Sequence, residues 1–178
     1  MNPSQVLSPQ FAALDGVDPE AVARLVDMIL NEGYTLGHAL RVSDRQMQAI
    51  YNWGYDLQRR GQFERGMRVF ECLCTLDQYD EKSWIALGFC RERLNHLQEA
   101  IAAYMMAGMM APENPIPPLR AAECLLRTRK LTLAESAAKT AIELTGDDPR
   151  LRQRRERAEF LLKVIRKQLE KRSKSDDN

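Results

Sequence analysis

Apolar residues recur at helical spacing along most of the chain, beginning close to residue 18. Asp18-Pro19-Glu20 combines a helix N-cap, a proline at the first helical position and an acidic residue in the first turn. The apolar residues that follow are spaced i, i+3, i+4, i+7 and i+8, as on one face of a helix: Val22, Leu25, Val26, Ile29 and Leu30. The pattern predicts an amphipathic helix that ends near Gly33.

The centre of the chain repeats one pattern of small and large residues every 34 positions. When residues 47–80, 81–114 and 115–148 are aligned, small residues occupy two equivalent positions in each unit, and a bulky position follows the second. The three sets are Gly54, Gly88 and Ala122; Gly66, Ala100 and Ala134; and Phe70, Tyr104 and Ala138. In the tetratricopeptide repeat (TPR), which has this period, small residues let two antiparallel helices approach and large residues fill the space between repeats. The chain is therefore predicted to be all-α, a TPR superhelix of three helix pairs.

The three units match the TPR pattern to different degrees. The middle unit fits best, through Trp84, Leu87, Gly88, Ala100, Tyr104, Ala107 and Pro112. A capping box of Ser43 and Gln46 opens the first unit. In the third unit Ala138 replaces the aromatic residue and Gly146 stands where proline is expected, as is tolerated near the end of a stack.

Beyond the repeats, Asp148-Pro149 begins a long C-terminal helix that is predicted to cover the end of the stack. Its apolar side is formed by Leu151, Ala158, Leu162, Ile165 and Leu169. We therefore divide the chain into five parts: a disordered tail at 1–17, an N-terminal helical region at 18–46, three TPRs at 47–148, a capping helix at 149–172 and a disordered tail at 173–178.

The C-terminal helix is basic, although the whole chain has a net charge of only +1, from 26 Lys and Arg against 25 Asp and Glu. Its cations are Arg150, Arg152, Arg154, Arg155, Arg157, Lys163, Arg166, Lys167, Lys171, Arg172 and Lys174, against Glu156, Glu159 and Glu170. They form either a solvated face that shields a narrow apolar stripe or a site for an acidic partner. Phe160 stands alone, with no aromatic set for stacking on bases, so nucleic-acid binding is not expected.

The remaining composition points to a cytoplasmic protein. No apolar run approaches the roughly 20 residues that span a bilayer, and the N-terminus lacks the basic and long apolar regions of a secretory signal. The four cysteines, Cys72, Cys74, Cys90 and Cys124, have neither CxxC spacing nor histidines at metal-ligand spacing. We expect all four to be reduced packing residues inside helices.

No catalytic motif is found in the sequence. His38 and His96 are the two histidines, and neither lies near a nucleophile motif. The chain has no GxxxxGK[ST], GxGxxG, GxSxG or HExxH pattern. We therefore predict a protein that is not an enzyme and needs no cofactor.

The first helix of each TPR lines the concave face of the superhelix, and positions 2, 5, 9 and 12 of each unit point into it. These positions are Gln48, Tyr51, Tyr55 and Gln58; Lys82, Ile85, Phe89 and Glu92; and Ile116, Leu119, Glu123 and Leu126. Aromatic and aliphatic side chains with a few hydrogen-bonding groups suit an extended peptide. The alternative is that Tyr51, Tyr55 and Phe89 only pack between helices.

Residues from Gly33 to about Pro149 also resemble a known family. The matching segments are Gly33 with Thr35 and Leu36, Ser43-Asp44, Gly61-Gln62-Phe63, Val69-Phe70, Leu76-Asp77-Gln78-Tyr79-Asp80, Leu87-Gly88 with Cys90-Arg91, and Ala121-Ala122-Glu123-Cys124-Leu125-Leu126. Generic TPRs lack the Leu-Asp-x-Tyr-Asp turn together with the Ala-Ala-Glu-Cys-Leu-Leu run. The chain resembles the class II chaperones of bacterial type III secretion, which escort the pore-forming translocator proteins.

The resemblance implies a cytosolic chaperone that keeps hydrophobic translocators soluble by binding an extended, Pro-x-Leu-x-x-Pro-like N-terminal segment in the concave groove. Tyr51, Tyr55 and Phe63 fall on aromatic groove positions of the family, and Gln58 falls where an aromatic is common. The predicted peptide-binding residues are Tyr51, Tyr55, Gln58, Phe63, Lys82, Ile85, Phe89, Glu92, Leu119, Glu123 and Leu126. The predicted interface of a client-free homodimer is Val22, Leu25, Val26, Ile29 and Leu30.

Two other functions are compatible with the same sequence. The first is a TPR adaptor or transcriptional coregulator that acts through protein contacts or its basic C-terminal helix, since some members of the family coactivate AraC-type regulators. The second is a scaffold whose repeats only join larger subunits.

Overall fold

A computed structural model describes residues 18–176, and within that range the chain forms helices and no strands. The helices are α1 (Pro19–Asn31), α2 (Leu36–Ala39), α3 (Asp44–Arg59), α4 (Phe63–Leu76), α5 (Glu81–Arg93), α6 (Leu97–Met110), α7 (Ile116–Arg127), α8 (Leu131–Thr145) and α9 (Arg152–Asp176), with a 3-10 turn at Pro149–Leu151. The tail predicted at 1–17 lies outside the described residues.

Helices α3 to α8 form three antiparallel pairs, in which each helix packs on the next, and α9 covers the last pair. The second helices of the pairs begin at Phe63, Leu97 and Leu131, at intervals of 34 residues. The predicted TPR superhelix of three helix pairs is therefore confirmed.

The turns within the three pairs share one backbone conformation. Gly61, Asn95 and Arg129 recur at the same interval and have φ angles of 73°, 64° and 59°. The next amide in each turn donates to a carbonyl five residues earlier: Gln62 to Leu57, His96 to Arg91 and Lys130 to Leu125, at 2.8–3.0 Å. These bonds satisfy carbonyls that the end of a helix leaves free. The sequence pattern did not predict a left-handed conformation at Arg129.

The close approach within the helix pairs explains the small residues of the repeat. A Cβ atom on Gly54 would lie 2.8 Å from the Phe70 ring, and one on Gly88 would lie 2.6 Å from the Tyr104 ring. In the third pair both corresponding positions are alanines, and Ala122 and Ala138 are fully buried. The interpretation of the small and large positions as packing partners is confirmed.

The helical region before the first repeat differs from the prediction in detail. Asp18 caps α1 by accepting from the Glu20 amide at 3.0 Å, as predicted. The helix ends at Asn31, because Gly33 already has a positive φ of 72°. A one-turn helix, α2, follows, capped by the Thr35 hydroxyl. The residues of the predicted dimer interface all belong to α1.

The C-terminal helix packs on α7 and α8 through Ala158, Leu161 and Ile165, each at most 5% exposed. It continues to Asp176, so the prediction of a disordered tail from 173 is wrong for residues 173–176. The physical reason is that no glycine or proline follows Pro149 to stop the helix. Residues 177 and 178 lie outside the described range.

Several arginines of α9 pair with acidic residues of the chain itself. Arg157 contacts Glu123 of α7 at 2.8 Å, and Arg166 contacts Glu135 of α8 at 3.2 Å. Arg152 and Arg155, and Arg150 in the preceding 3-10 turn, have acidic partners close in sequence. Part of the basic charge of this helix therefore holds it on the repeats.

The cysteines are free thiols, and three of them are buried, as expected. Cys72 is exposed, so the expectation that it packs in the core is wrong. The reason is its spacing from buried Cys74, because residues two apart on a helix lie on different sides.

Candidate functional site

A cavity of about 370 Å³ opens on the concave side between the first helices of the repeats. Its wall is formed by Tyr51, Tyr55, Gln58, Arg59, Ile85, Ala86, Phe89, Tyr104 and Arg120. Five of these were predicted from their positions in the repeat: Tyr51, Tyr55, Gln58, Ile85 and Phe89. The repeat therefore brings together side chains that are 38 positions apart in the sequence, which is the span from Tyr51 to Phe89.

The two tyrosines of the cavity have different surroundings. Tyr55 is 52% exposed, so about half of its surface is available to a bound chain. Tyr51 is half-buried, and its ring meets the Phe70 ring edge-on at a centroid distance of 5.6 Å. Burial raises the pKa of its hydroxyl, and the charge of Asp80 adds to the effect. Tyr51 thus both packs between helices and lines the cavity, whereas Tyr55 mainly lines the cavity.

Gln58 ties the first repeat to the second. Its side-chain amide donates to the backbone oxygen of Ala86 at 2.8 Å and to Sγ of Cys90 at 3.2 Å. Because both bonds use Nε2, they leave the side-chain oxygen as an acceptor beside the cavity. Gln58, a polar residue at a position where an aromatic residue is common in the resembled family, is therefore part of the contact between repeats.

Aromatic rings and guanidinium groups alternate at the next part of the concave face. Phe63 and Phe89 meet edge-on with their centroids 6.1 Å apart. The Arg93 guanidinium lies 5.1 Å from the centre of the Phe63 ring, and the Arg120 guanidinium lies 5.5 Å from that of Phe89. At these distances a cation is attracted to the ring face. Phe63 therefore packs against Phe89 and does not line the cavity itself.

Arg120 is held in place by two glutamates. It contacts Glu92 at 3.2 Å and Glu123 at 2.9 Å, and both carboxylate side chains are only 13% exposed. The Tyr104 hydroxyl also donates to Glu92, at 3.0 Å. Burial of the Tyr104 phenol raises its pKa, so this hydroxyl keeps its proton at neutral pH. Glu92 and Glu123 thus position Arg120 at the cavity wall.

The other predicted groove residues are not part of the cavity. Lys82 is exposed on the first turn of α5. Leu119 is 7% exposed and lies in the core cluster with Ala138, so its prediction as an open groove residue is wrong. In the same cluster Ala138 stands where the other repeats have Phe70 and Tyr104. Leu126 is half-buried against the same cluster.

Four residues of the wall were not predicted from the sequence: Arg59, Ala86, Tyr104 and Arg120. Ala86 and Arg120 occupy position 6 of their repeats, and Arg59 occupies position 13. Positions 6 and 13 directly follow positions 5 and 12 on the helix. A prediction that also counted these neighbouring positions as facing the groove would have included them. Tyr104 was identified as a packing residue, and it also reaches the cavity past Gly88.

Known proteins share this architecture over most of its length. No family model matches the chain. The Low calcium response locus protein H of Yersinia pseudotuberculosis is 29% identical over 161 residues, which cover 90% of this chain and 96% of that protein. A crystal structure of a type III secretion system complex from Aeromonas hydrophila has a TM-score of 0.80 and 31% identity, and covers 83% of this chain and 98% of the matched one.

A third comparison is with the Yersinia enterocolitica type III secretion chaperone SycD, in a crystal structure with a peptide of the translocator YopD. The two chains are 31% identical with a TM-score of 0.69, over 71% of this chain and 97% of SycD. This chain belongs to the class II translocator chaperones of type III secretion. The family resemblance predicted from the Leu-Asp-x-Tyr-Asp and Ala-Ala-Glu-Cys-Leu-Leu segments is thereby confirmed.

In this chaperone the Leu-Asp-x-Tyr-Asp segment builds the turn between the first and second repeats. Asp77 accepts from the Tyr79 amide at 2.9 Å, and Asp80 caps α5 by accepting from the Lys82 amide at 3.2 Å. Trp84 closes the turn by donating to the Gln78 carbonyl at 2.8 Å. The turn therefore fixes the position of α5, which carries Ile85 and Phe89 into the cavity.

Two further findings concern the described part of the chaperone. No helix between residues 18 and 176 is both long and apolar enough to cross a bilayer. The same residues contain no group of three His, Cys, Asp or Glu side chains that could hold a metal ion.

Proposed function

We propose that this chaperone binds an extended segment of a type III secretion translocator, rich in proline and leucine, in the concave cavity and catalyses no reaction. The observation that carries the proposal is the open cavity between repeats, walled by Tyr55, Ile85 and Phe89. The related chaperone SycD has been crystallised with a translocator peptide. Of the predicted residues, we assign direct contact to Tyr51, Tyr55, Gln58, Ile85 and Phe89.

Binding would draw its free energy from burial of apolar client side chains. Each leucine-sized side chain that leaves water contributes roughly 1.5–3 kcal/mol. An extended, proline-containing segment is already restricted in conformation, so it loses little entropy when it binds. Tyr55 offers a rigid ring with a polar tip, and the Gln58 oxygen can accept from a backbone amide of the client.

The chaperone acts, in this proposal, before export. Translocators of this family insert into membranes, and binding in the bacterial cytoplasm keeps such a client soluble until it is secreted.

Without a client, we propose that two copies associate through the apolar face of α1, which includes Val22, Leu25, Val26, Ile29 and Leu30. Phe63, Glu92 and Glu123 support the site indirectly, through Phe89 and Arg120.

The test is co-expression of the tagged chaperone with the translocator encoded beside it, followed by co-purification. Tyr55→Ala is the informative variant, because the exposed Tyr55 side chain adds little to folding. Trp53→Ala is a matched control on the same helix, since Trp53 is 54% exposed and lines a different cavity. We expect a soluble complex that Tyr55→Ala weakens and Trp53→Ala does not. Failure of the wild-type chaperone to keep any translocator soluble would contradict the proposal.

A further inference from the structure

One arginine occupies the same place in all three repeats. Arg59, Arg93 and Arg127 are the last residues of α3, α5 and α7, and they are spaced by 34 positions. All three are exposed. They therefore form a row of cations along one edge of the concave face, at the carboxyl ends of the helices that line it.

The contacts of these arginines show where the row lies relative to the cavity. Arg59 lines the cavity itself and has no ion-pair partner among the described residues. Arg93 lies over the ring of Phe63, which in turn packs against Phe89. Arg127 donates to the Asn95 side chain at 2.8 Å and lies 3.8 Å from Glu92. The row therefore follows the aromatic wall from the first repeat to the third.

The acidic groups near the row are already occupied. Glu92 accepts from Tyr104, contacts Arg120 and lies 3.8 Å from Arg127 of the row. Glu123 contacts both Arg120 and Arg157. Both carboxylate side chains are only 13% exposed, whereas the arginines of the row reach solvent. A chain that lies in the groove would consequently meet positive charge along this edge.

The spacing of the row matches the repeat of an extended, proline-containing chain. Helices that pack on each other lie about 8–10 Å apart, and we take this spacing for the first helices of neighbouring repeats. In the polyproline II conformation residues three apart are on the same side, about 9 Å from each other. Carboxylates at every third position of such a chain would face consecutive arginines, and arginine is well suited to carboxylate recognition.

We propose that Arg59, Arg93 and Arg127 select acidic side chains, spaced three residues apart, in the client segment. The inference rests on the proposed function, since it concerns the same groove. The apolar wall provides anchoring, and the row of arginines fixes the register of the client and favours acidic over neutral or basic segments. Basic residues at a helix carboxyl end also stabilise the helix, so the test must separate selectivity from stability.

The probes are fluorescein-labelled synthetic peptides with the pattern Pro-x-Leu-x-x-Pro, measured by fluorescence anisotropy. One peptide carries glutamate at the second and fifth positions, which are three apart. The matched comparison peptide carries glutamine at the same two positions. We expect the glutamate peptide to bind about fivefold more tightly at low salt, with the difference shrinking at high salt. A third peptide, with glutamates at the second and fourth positions, should bind less tightly than the first because one carboxylate points away.

Arg93→Gln is the decisive variant, and Arg68→Gln is its control. Arg68 is exposed on α4 and lines a cavity with Trp53 rather than Tyr55. Arg93→Gln should remove most of the preference for the glutamate peptide over the glutamine peptide, whereas Arg68→Gln should leave that preference unchanged. An arginine that only stabilised its helix would change the melting temperature and leave the preference intact.

The possible failures are distinguishable. Equal binding of the glutamate and glutamine peptides to the wild-type chaperone would overturn this inference and leave the proposed groove in place. A preference for glutamate that survives in Arg93→Gln would also overturn it. Absence of binding by every peptide would contradict the proposed groove itself, and the inference with it.

Discussion

At the scale of single residues, the turns within the helix pairs require a left-handed backbone conformation, which side-chain chemistry does not reveal. Gly61, Asn95 and Arg129 adopt the left-handed backbone conformation at equivalent positions. Glycine adopts it freely, asparagine tolerates it, and arginine adopts it at a cost of about 1–2 kcal/mol. The third turn therefore carries a strain that the first turn lacks.

This difference predicts opposite effects for matched substitutions. Gly61→Ala should lower the free energy of unfolding by about 1 kcal/mol, although a Cβ atom there would meet nothing within 4 Å. Arg129→Gly should raise it by about 0.5–1 kcal/mol, because the left-handed strain is removed. Gly108→Ala is the control: it lies within α6, where a Cβ atom would make an ordinary 3.7 Å contact with Pro117. Urea unfolding followed by circular dichroism measures all three, and destabilisation by Arg129→Gly would refute the argument.

The four thiols should differ sharply in reactivity. Burial raises the pKa of Cys74 and of Cys124 to about 12 and raises that of Cys90 as well, and the thiolate is the reactive form. Cys72 is exposed. We expect a thiol-specific reagent such as DTNB to modify Cys72 rapidly in the native protein and the other three only after unfolding. Cys72→Ser should abolish the rapid phase, and a rapid phase that persists in this variant would contradict the assignment.

At the scale of elements, helix positions followed from the sequence wherever a repeat or a strong cap was present. The 34-residue period located α3 to α8, and Asp18 and Ser43 marked the starts of α1 and α3. The single turn of α2 was missed, because a four-residue helix has too few positions for an apolar periodicity. The predicted end of α9 at residue 172 is too early, because the charged residues that follow contain nothing that stops a helix.

The capping role of α9 predicts a large loss of stability from one truncation. Ile165 is fully buried against the last repeat, together with Ala134 and Ala138. Ile165→Ala should lower the free energy of unfolding by about 2–5 kcal/mol, through lost burial and the cavity that remains. Phe160→Ala on the same helix is the control, because Phe160 is 60% exposed, and it should change stability by less than about 0.5 kcal/mol. Equal effects of the two variants would show that α9 does not cap the repeats as described.

At the scale of the whole molecule, the repeat predicted which side of the superhelix forms a cavity, but only part of its wall. Tyr51, Tyr55, Gln58, Ile85 and Phe89 share the cavity because equivalent positions of stacked helices face the same way. Leu119 did not follow this rule, because it is buried in the core cluster that contains the alanines of the third repeat. The contribution of Arg120 depends on Glu92 and Glu123, which come from two different helices. The pair with Glu123 is a local i,i+3 contact within α7, whereas the pair with Glu92 of α5 is set by tertiary structure.

The concave cavity as the binding site for the client is the central claim, and site-specific photo-crosslinking tests it most directly. A photoreactive phenylalanine analogue replaces Tyr55 in one variant and Trp53 in another; the two residues are on α3 and are 52% and 54% exposed. Tyr55 lines the concave cavity, whereas Trp53 lines a separate one with Arg68 and Cys72. After co-expression with the translocator and irradiation, we predict a chaperone–translocator crosslink from position 55, mapped by mass spectrometry to the N-terminal part of the client, and none from position 53. A crosslink from position 53 without one from position 55 would contradict the account.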